Sequence, residues 1–239
     1  MDKHSGFTLA EVLITLAILG VIAALIIPNI IQNYQERVTV SKVKKIYSTL
    51  NNALIQAQLE NGPIETWDIG KSGTGEGANK IYDYISPYLE ITKDCENVKE
   101  GCFYKGRYKS LDGGDSWTTM GEGFRKVMLK DGIAVGFWSL GNEKCYSEKI
   151  CIAFAFDINS LKGPNKVGVD FFSISSDYNT GFPYSLSYKP SMNLNDRPCN
   201  KNISSNNYNG NACLYWILNK GNMDYLKRDI TKELEKMAN

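Results

Sequence analysis

The sequence predicts an α+β fold in which a long N-terminal helix packs on a small antiparallel β-sheet. An apolar run at residues 7–31 continues into an amphipathic helical pattern at residues 32–60. Strand-like segments dominate after residue 123, and Asp131-Gly132 between two of them is a strong hairpin signal. Strands joined by short turns after a long helix are typical of a fold whose helix covers one face of the sheet.

Length and composition exclude several classes of protein. The chain has 239 residues, enough for one ordinary domain with appendages. Its 27 basic and 26 acidic residues nearly balance, so no overall field favours nucleic acid or another polyanion as a partner. The single histidine, His4, precedes the apolar run, which excludes most histidine-based catalysis and His-rich metal sites.

The apolar run is long enough to cross a membrane. No side chain between residues 12 and 27 is charged. A helix over residues 7–31 would be roughly 37 Å long at about 1.5 Å per residue, against about 30 Å for a hydrocarbon core. No small-residue cleavage pattern follows the run, so any processing must occur before it, at Gly6-Phe7.

The residues at this junction, GFTLAE at positions 6–11, resemble the processing signal of type IV pilins and type II secretion pseudopilins. The resemblance implies a pilin-like fold, cleavage of a leader (residues 1–6) by a prepilin peptidase, and methylation of Phe7. It also implies that the helix first lies in the lipid of the inner membrane and later in the core of a filament. The implied partners are the prepilin peptidase, other pilin or pseudopilin subunits and the inner-membrane assembly platform.

Glu11 is the one carboxylate near the start of the apolar run. A carboxylate inside a membrane helix costs about 2.5–3.5 kcal/mol on insertion scales, and such residues usually have a partner. The resemblance implies that the partner is the new N-terminal amine of Phe7, on the same or a neighbouring subunit, and gives this pair a role in methylation and assembly. The alternative is a carboxylate near the interface that reaches water.

Pro28 lies inside the helical pattern, where it removes a backbone donor and favours a kink. A bent segment that lets subunits pack in a filament and a kink at the membrane exit both account for it. Beyond it, apolar side chains in residues 32–60 follow the i, i+3, i+4, i+7 spacing until Asn61-Gly62-Pro63 ends the helix. This pattern is too short for a coiled-coil stalk, so packing on a sheet is favoured.

The charges on the two sides of the apolar run conflict with the resemblance. Lys3 precedes the run, whereas Arg37, Lys42, Lys44 and Lys45 follow it, and a positive-inside count would place the C-terminal part in the cytoplasm. Cysteines confined to that part indicate an oxidising compartment instead. We expect a single-pass inner-membrane protein whose C-terminal domain lies in the periplasm or outside.

Residues 61–239 form the predicted globular domain. We predict strands at residues 124–129, 133–140, 149–158 and 169–175, and a short helix at residues 79–89 that Pro87 disrupts. The glycine-rich stretch at residues 70–77 lacks the order of a phosphate-binding loop. Residues 178–211 are polar and loop-like, residues 212–218 form a short strand or helix, and residues 229–239 form a frayed helix or a tail.

Six cysteines allow 15 disulfide pairings. None forms a CxxC motif, and the short separations favour the sequential pairing of Cys95 with Cys102, Cys145 with Cys151 and Cys199 with Cys213. The last bridge would close a loop of about 15 residues, worth roughly 3 kcal/mol in the chain-entropy model. This loop is either a partner-facing surface, as in pilin-like proteins, or a stapled loop without a ligand.

Four oxygen-bearing side chains lie between the last two predicted strands: Asp157, Asn159, Asn165 and Asp170. They could encircle a hard cation such as Ca²⁺. Their spacing is not that of an EF-hand, and Asx residues with Gly and Pro are equally the chemistry of tight turns. A plain structured loop therefore stays open as the alternative to a calcium site.

Two functions stay open: a structural pilus or pseudopilus subunit, and a minor pilin whose globular domain binds a surface, DNA or a protein. Residues 104–108 (YKGRY) alternate aromatic and basic side chains, but so short a stretch does not indicate a nucleic-acid site. We do not expect an enzyme, because removal of His4 leaves no Ser/His/Asp set. Carboxylates alone could support glycosidase chemistry, but nothing selects a pair.

Overall fold

Five α-helices and six β-strands make up the described part of the chain. The computed structural model describes residues 8–98, 100–116, 118–147, 150–177, 185–187, 197–203 and 207–238. The helices are α1 (Leu9–Asn61), α2 (Gly75–Ile85), α3 (Asn142–Ser147), α4 (Cys213–Lys220) and α5 (Thr231–Ala238). The strands are β1 (Ile91–Glu96), β2 (Arg125–Leu129), β3 (Ala134–Ser139), β4 (Ile152–Asp157), β5 (Phe171–Asp177) and β6 (Ser185–Ser187).

Internal contacts divide the chain into two units, residues 1–38 and residues 39–239. Helix α1 runs through the boundary. Within the first unit the helix continues through Pro28, and its apolar side chains are exposed. Within the second unit the remainder of α1 is part of a folded domain.

The part of α1 in the second unit is held by one buried face. Its buried side chains recur at helical spacing because only one side of the helix meets the core. They pack against side chains of strands β2 to β6 in one large cluster. The buried residues of α1 are Val40, Val43, Ile46, Leu50, Ala53, Leu54, Ala57 and Gln58.

The six strands form one antiparallel sheet in the order β1-β2-β3-β4-β5-β6. Side chains alternate between its faces. Val135 and Phe137 of β3 lie in the cluster that includes α1, whereas Ala134 lies in a second cluster on the other face with Phe103 and Tyr108. The sheet is therefore covered on both faces, by α1 on one and by the loop between β1 and β2 on the other.

The two edge strands of the sheet, β6 and β1, have different surroundings. At the β6 edge, the Tyr47 hydroxyl donates to the backbone oxygen of Leu186 at 2.9 Å, and the Leu186 N–H donates to Asn51 Oδ1 at 2.7 Å. Side chains of α1 thus satisfy edge groups that a further strand would otherwise bind. At the other edge, β1 pairs with β2 through two register shifts.

All four predicted strands are present, with ends that differ by up to three residues. The sequence prediction missed β1, β6 and α3. The first two are edge strands, and β1 is mostly polar, so neither has the apolar alternation of a buried strand. Residues 178–184, 188–196 and 204–206 of the predicted polar loop lie outside the described residues.

Three helical predictions also need adjustment. Helix α2 begins at Gly75, four residues earlier than predicted, because the Thr74 hydroxyl accepts the Gly77 N–H at 3.1 Å and caps it. Residues 213–218 belong to helix α4, and Ala212 is its N-cap. The C-terminal segment is a docked helix: Leu234 is buried, and the Tyr215 hydroxyl donates to the backbone oxygen of Met237 at 2.6 Å.

All six cysteines form disulfides in the sequential arrangement: Cys95–Cys102, Cys145–Cys151 and Cys199–Cys213. Each closes a short loop, with sequence separations of 7, 6 and 14 residues. None of the three bridges joins two strands of the sheet: Cys95 lies in β1, Cys145 in α3 and Cys213 in α4. They therefore act on the loops between the elements more than on the sheet itself.

We expect Leu54→Ala to destabilise the domain and Leu59→Ala to leave it nearly unchanged. Both are leucines on α1, but Leu54 is 0% exposed and Leu59 is 60% exposed. A cavity at Leu54 should cost about 2–5 kcal/mol, whereas the exposed position should cost less than about 0.5 kcal/mol. Urea unfolding of the full chain in detergent, followed by near-UV circular dichroism, measures both. Equal losses would show that α1 does not pack on the sheet as described.

Candidate functional site

The first candidate site is the start of α1. Gly6 and Phe7, the predicted cleavage and methylation residues, lie outside the described residues. The backbone N–H and the hydroxyl of Thr8 both donate to Glu11 Oε2 at 2.8 Å, and the Glu11 N–H donates back to the Thr8 hydroxyl at 3.3 Å. This is a capping box, in which the helix-start threonine and the glutamate three residues later bind each other's backbone N–H groups.

The capping box gives Glu11 a local role that sequence reasoning missed. The signal was readable, because Thr8-Leu-Ala-Glu11 has the S/T-x-x-E spacing directly before an apolar run. Thr8 is neutral, so its hydrogen bonds stabilise the carboxylate without balancing its charge. A cationic partner would still lower the energy of Glu11 in an apolar surrounding.

The apolar segment that follows is uncovered along its length. It is long and apolar enough to cross a membrane, a test that a signal sequence near the N-terminus also passes. Its large side chains are 43% to 79% exposed within the chain. They are Leu9, Val12, Leu13, Ile14, Leu16, Ile18, Leu19, Val21, Ile22, Leu25, Ile26, Ile27, Ile30 and Ile31.

The lysines that follow the apolar segment are bound by the folded domain. Lys42 Nζ donates to the backbone oxygen of Ile158 at 3.0 Å, and Lys45 Nζ lies 2.9 Å from Asp131 Oδ2. Lys44 Nζ would be 3.0 Å from a Cβ added to Gly221, which caps the C-terminus of α4. These lysines are not the free loop charges that the positive-inside rule counts. The charge conflict seen in the sequence therefore weakens.

The second candidate site is the loop between β4 and β5. Asp157, the last residue of β4, is fully buried. The Tyr108 hydroxyl donates to its Oδ2 at 2.7 Å, and the backbone N–H of Asn159 donates to its Oδ1 at 3.0 Å. Tyr108 comes from the loop between β1 and β2, so this hydrogen bond joins that loop to the end of β4.

Asp170 organises the other end of the same loop. Its two oxygens accept the backbone N–H groups of Asn165 and Lys166 at 2.8 and 2.7 Å. The Asn159 amide group donates to Asp170 Oδ2 at 3.3 Å and to the backbone oxygen of Gly163 at 3.0 Å. The four residues predicted to encircle a cation are thus joined by hydrogen bonds, in which Asn165 takes part through its backbone N–H.

Some contacts in this loop fit a structured loop without a metal, and others fit a calcium site. The hydrogen bonds to Asp157 and Asp170 compensate the carboxylates as a structured loop requires. The Oδ1 atoms of Asn159 and Asn165, however, are buried and have no hydrogen-bond partner. Amide and carboxylate oxygens are the ligands that Ca²⁺ prefers, although it takes six to eight of them. The described residues contain no group of three or more His, Cys, Asp or Glu side chains that could hold a metal.

Burial changes the acidity of this cluster. It raises the pKa of Asp157 to about 7, although the hydrogen bonds from Tyr108 and Asn159 act in the opposite direction. Burial raises the pKa of Asp170 as well, against the lowering effect of its backbone hydrogen bonds. Burial next to Asp157 also raises the pKa of Tyr108.

The structure also locates two further candidates from the sequence, the Cys199–Cys213 loop and the YKGRY stretch. Cys199 and Cys213 are buried, and Tyr208 within their loop is partly exposed beneath the Arg197 guanidinium, 4.9 Å from the ring centre. In the YKGRY stretch, Tyr108 is buried and bound to Asp157, so its ring is not available for stacking on a base.

Comparison with known proteins identifies the N-terminal segment. Residues 1–27 match the prokaryotic N-terminal methylation motif. Residues 29–144 match a family described as of unknown function (DUF6613). No solved structure matches the chain.

Three curated relatives each match over less than a third of the chain. Type II secretion system core protein G of Vibrio cholerae is 37% identical over 70 residues, which are 29% of this chain and 47% of that protein. The protein of the same name from Escherichia coli K12 is 36% identical over 69 residues, 29% of this chain and 47% of that protein. Prepilin peptidase-dependent protein D of Escherichia coli K12 is 32% identical over 73 residues, 30% of this chain and 49% of that protein. The chain spans about half the length of these relatives.

We expect stability to fall as pH rises from about 4 to about 7, and Asp157→Asn to flatten this fall. Over this range the folded chain keeps a proton on Asp157 that the unfolded chain, with an ordinary pKa of 3.8, has released. The contribution is at most about 4 kcal/mol, since one pKa unit corresponds to about 1.4 kcal/mol. Urea unfolding of the full chain in detergent and EDTA at pH 5 and pH 8 measures it.

Asp115→Asn is the matched control for this prediction. Asp115 is exposed, and its hydrogen bond with Lys109 lowers its pKa, so it is ionised in both states above pH 5. The control should keep the fall of the natural chain. An unchanged fall in Asp157→Asn would show that Asp157 is ionised in the folded chain at pH 5.

Proposed function

We propose that this chain, which belongs to the type IV pilin and type II secretion pseudopilin family, is a structural subunit that assembles through its N-terminal helix. The uncovered apolar segment of α1 carries the proposal. Each exposed Leu, Ile or Val side chain gains about 1.5–3 kcal/mol when fully buried. Lipid supplies that burial before assembly, and the helices of neighbouring subunits supply it afterwards.

Processing by a prepilin peptidase prepares the helix to leave the lipid and pack against the helices of neighbouring subunits. Cleavage after Gly6 would create a positively charged amine on Phe7, next to Thr8 of the capping box. Glu11 already has hydrogen bonds from Thr8 but no balancing charge from it. The amine of Phe7, on the same or a neighbouring subunit, supplies that charge, so removal of the leader and assembly are linked through Glu11.

The subunit sits in the inner membrane by a single pass, with the domain of residues 39–239 in the periplasm or outside. The three disulfides support an oxidising compartment for the domain. The binding of Lys42 and Lys45 by the domain weakens the charge argument for the opposite orientation. The subunit acts by assembly, not by catalysis, and its partners are the peptidase, the assembly platform and other subunits.

The alternative is a minor pilin whose globular domain is a binding module. The length of the chain supports this alternative. The Vibrio cholerae relative is about 150 residues long, because 70 residues make up 47% of it, whereas this chain has 239. Abundance along sheared filaments indicates the structural subunit, and confinement to filament tips indicates the module.

We also propose that the loop between β4 and β5 binds Ca²⁺. The two buried amide oxygens without partners, on Asn159 and Asn165, support this, together with the carboxylates of Asp157 and Asp170. A bound cation would supply positive charge that favours the ionised form of Asp157. Its role would be to fix the loop, not to take part in a reaction.

Mass spectrometry of the chain extracted from the membranes of cells that carry a prepilin peptidase tests the main proposal. We expect a mature chain that begins with methylated Phe7, and we expect Glu11→Ala to insert in the membrane but to lose methylation or filament assembly. An intact Met1 or a cleavage near Ala24 would contradict the proposed processing.

Glu11→Gln separates the two roles of the glutamate. Glutamine also serves in a capping box, so this variant keeps the local geometry and removes only the charge. If charge pairing with Phe7 matters, Gln and Ala variants fail alike, as seen in counts of sheared filaments. Normal filaments in Glu11→Gln would show that the capping box, and not the charge, is what assembly needs.

Thermal unfolding of the full chain at pH 8 tests the calcium proposal. We expect 1 mM Ca²⁺ to raise Tm relative to EDTA by about 5 °C, and Mg²⁺ to raise it less. Asn165→Gly should remove the effect of Ca²⁺ without lowering Tm in EDTA, because Asn165 has a φ of 55° that glycine adopts freely. No shift with Ca²⁺ would leave a structured loop without a metal.

A further inference from the structure

One end of the sheet lies near the apolar segment along the chain. Lys45 binds Asp131 in the turn between β2 and β3, and Lys42 binds Ile158 just after β4. Lys42 is eleven positions after Ile31, so an extended chain between them spans at most about 40 Å. We call this end of the sheet the proximal end.

The register of the sheet defines the two ends. Ala134 pairs with Asp157 at the proximal end, and Ser139 pairs with Ile152 at the opposite, distal end. The loop between β4 and β5 therefore belongs to the proximal end. Lys71 lies at the distal end, because Gly73, two residues on, donates its N–H to the Ser139 backbone oxygen at 3.0 Å.

The tip of the β4–β5 loop presents an apolar side chain beside cations. Leu161 is 54% exposed, and Lys162 and Pro164 are exposed next to it. Lys166 is partly exposed. Within the described part of the chain no carboxylate forms an ion pair with Lys162 or Lys166.

The loop holds this tip in a fixed conformation. Asp170 binds the backbone of Asn165 and Lys166, and the Ser160 hydroxyl donates to the backbone oxygen of Cys102 at 2.6 Å. Ser160 and Asn165 both have positive φ angles. A tip fixed in advance loses little conformational entropy when it binds a surface.

We propose that this tip docks on the anionic lipid headgroups of the membrane that holds α1, before the subunit is assembled. Lys162 and Lys166 bind lipid phosphates, and Leu161 enters the interface between headgroups and acyl chains. The inference rests on the membrane anchoring in the proposed function. Because the anchor keeps the loop near the bilayer at high effective concentration, a contact of two lysines and one leucine is sufficient.

The test places a nitroxide label on the full chain, with one chain per lipid nanodisc. Divalent cations are first removed with EDTA, and the EDTA is dialysed away before a neutral nickel chelate is added. Gly163→Cys provides the label site, since an added Cβ there has no neighbour closer than 3.8 Å. Gly121→Cys, just before the distal end of β2, is the control site, where an added Cβ has no neighbour within 4 Å. The native cysteines are all in disulfides, so only the introduced thiol reacts. The readout is collision of the label with a water-soluble nickel chelate.

We expect the label at position 163 to collide with nickel about fivefold less in discs that contain phosphatidylglycerol than in phosphatidylcholine discs. The label at position 121 should not change. Lys162→Glu with Lys166→Glu should remove the difference, whereas Lys71→Glu, an exposed lysine at the distal end, should keep it.

Three outcomes would overturn the inference. Equal nickel collision at position 163 in both lipids would show that the tip does not reach the bilayer. Protection that persists in the double lysine variant would assign it to another surface of the same chain. Protection that appears only with several chains per disc would assign it to contact between subunits. A chain that fails to enter the discs at all would instead contradict the membrane anchoring in the proposed function.

Discussion

The apolar segment of α1 imposes the main constraint on this molecule, because no part of its own unit covers it. A helix with this much exposed Leu, Ile and Val surface is stable only in contact with lipid or with other apolar helices. Lipid and a bundle of like helices satisfy it about equally, which is why the proposed function places the same segment first in a membrane and then in a filament. Polar groups mark the two ends of the apolar segment. Thr8 caps its start, and the lysines bound by the domain lie beyond its end.

The charged side chains on both sides of this segment have local partners, either hydrogen bonds or an ion pair. Glu11 is held by Thr8, and the lysines that follow the segment are held by backbone and carboxylate oxygens of the domain. The domain repeats this arrangement in its interior, where Asp157 and Asp170 are buried yet fully hydrogen-bonded. Buried carboxylates with such partners fix the loop between β4 and β5. That loop lies at the end of the sheet where Lys42 and Lys45 of α1 are bound.

Elements whose apolar residues repeat at a regular spacing were predictable from the sequence. Features that depend on one contact between distant residues were not. Helix α1 and strands β2 to β5 have clear apolar patterns, and the sequential disulfides follow from short separations. Strands β1 and β6 escaped because edge strands bury only part of their side chains. The binding of Lys42 to Ile158 joins residues 116 positions apart, and no local rule reveals such a pair. At the site, the cluster around Asp170 was predicted as a group, but its hydrogen bonds and unpartnered amide oxygens required coordinates.

The closure of the β6 edge by Tyr47 and Asn51 has a consequence for how this fold can polymerise. Some filament proteins grow by strand donation, in which a segment of one subunit completes the sheet of the next. Here the backbone groups of Leu186 that would accept such a donor are occupied by the subunit's own helix. Strand exchange at this edge would require α1 to leave the sheet and expose the core. Growth through the apolar helix leaves each sheet complete, so subunits can join and leave a filament without any of them unfolding.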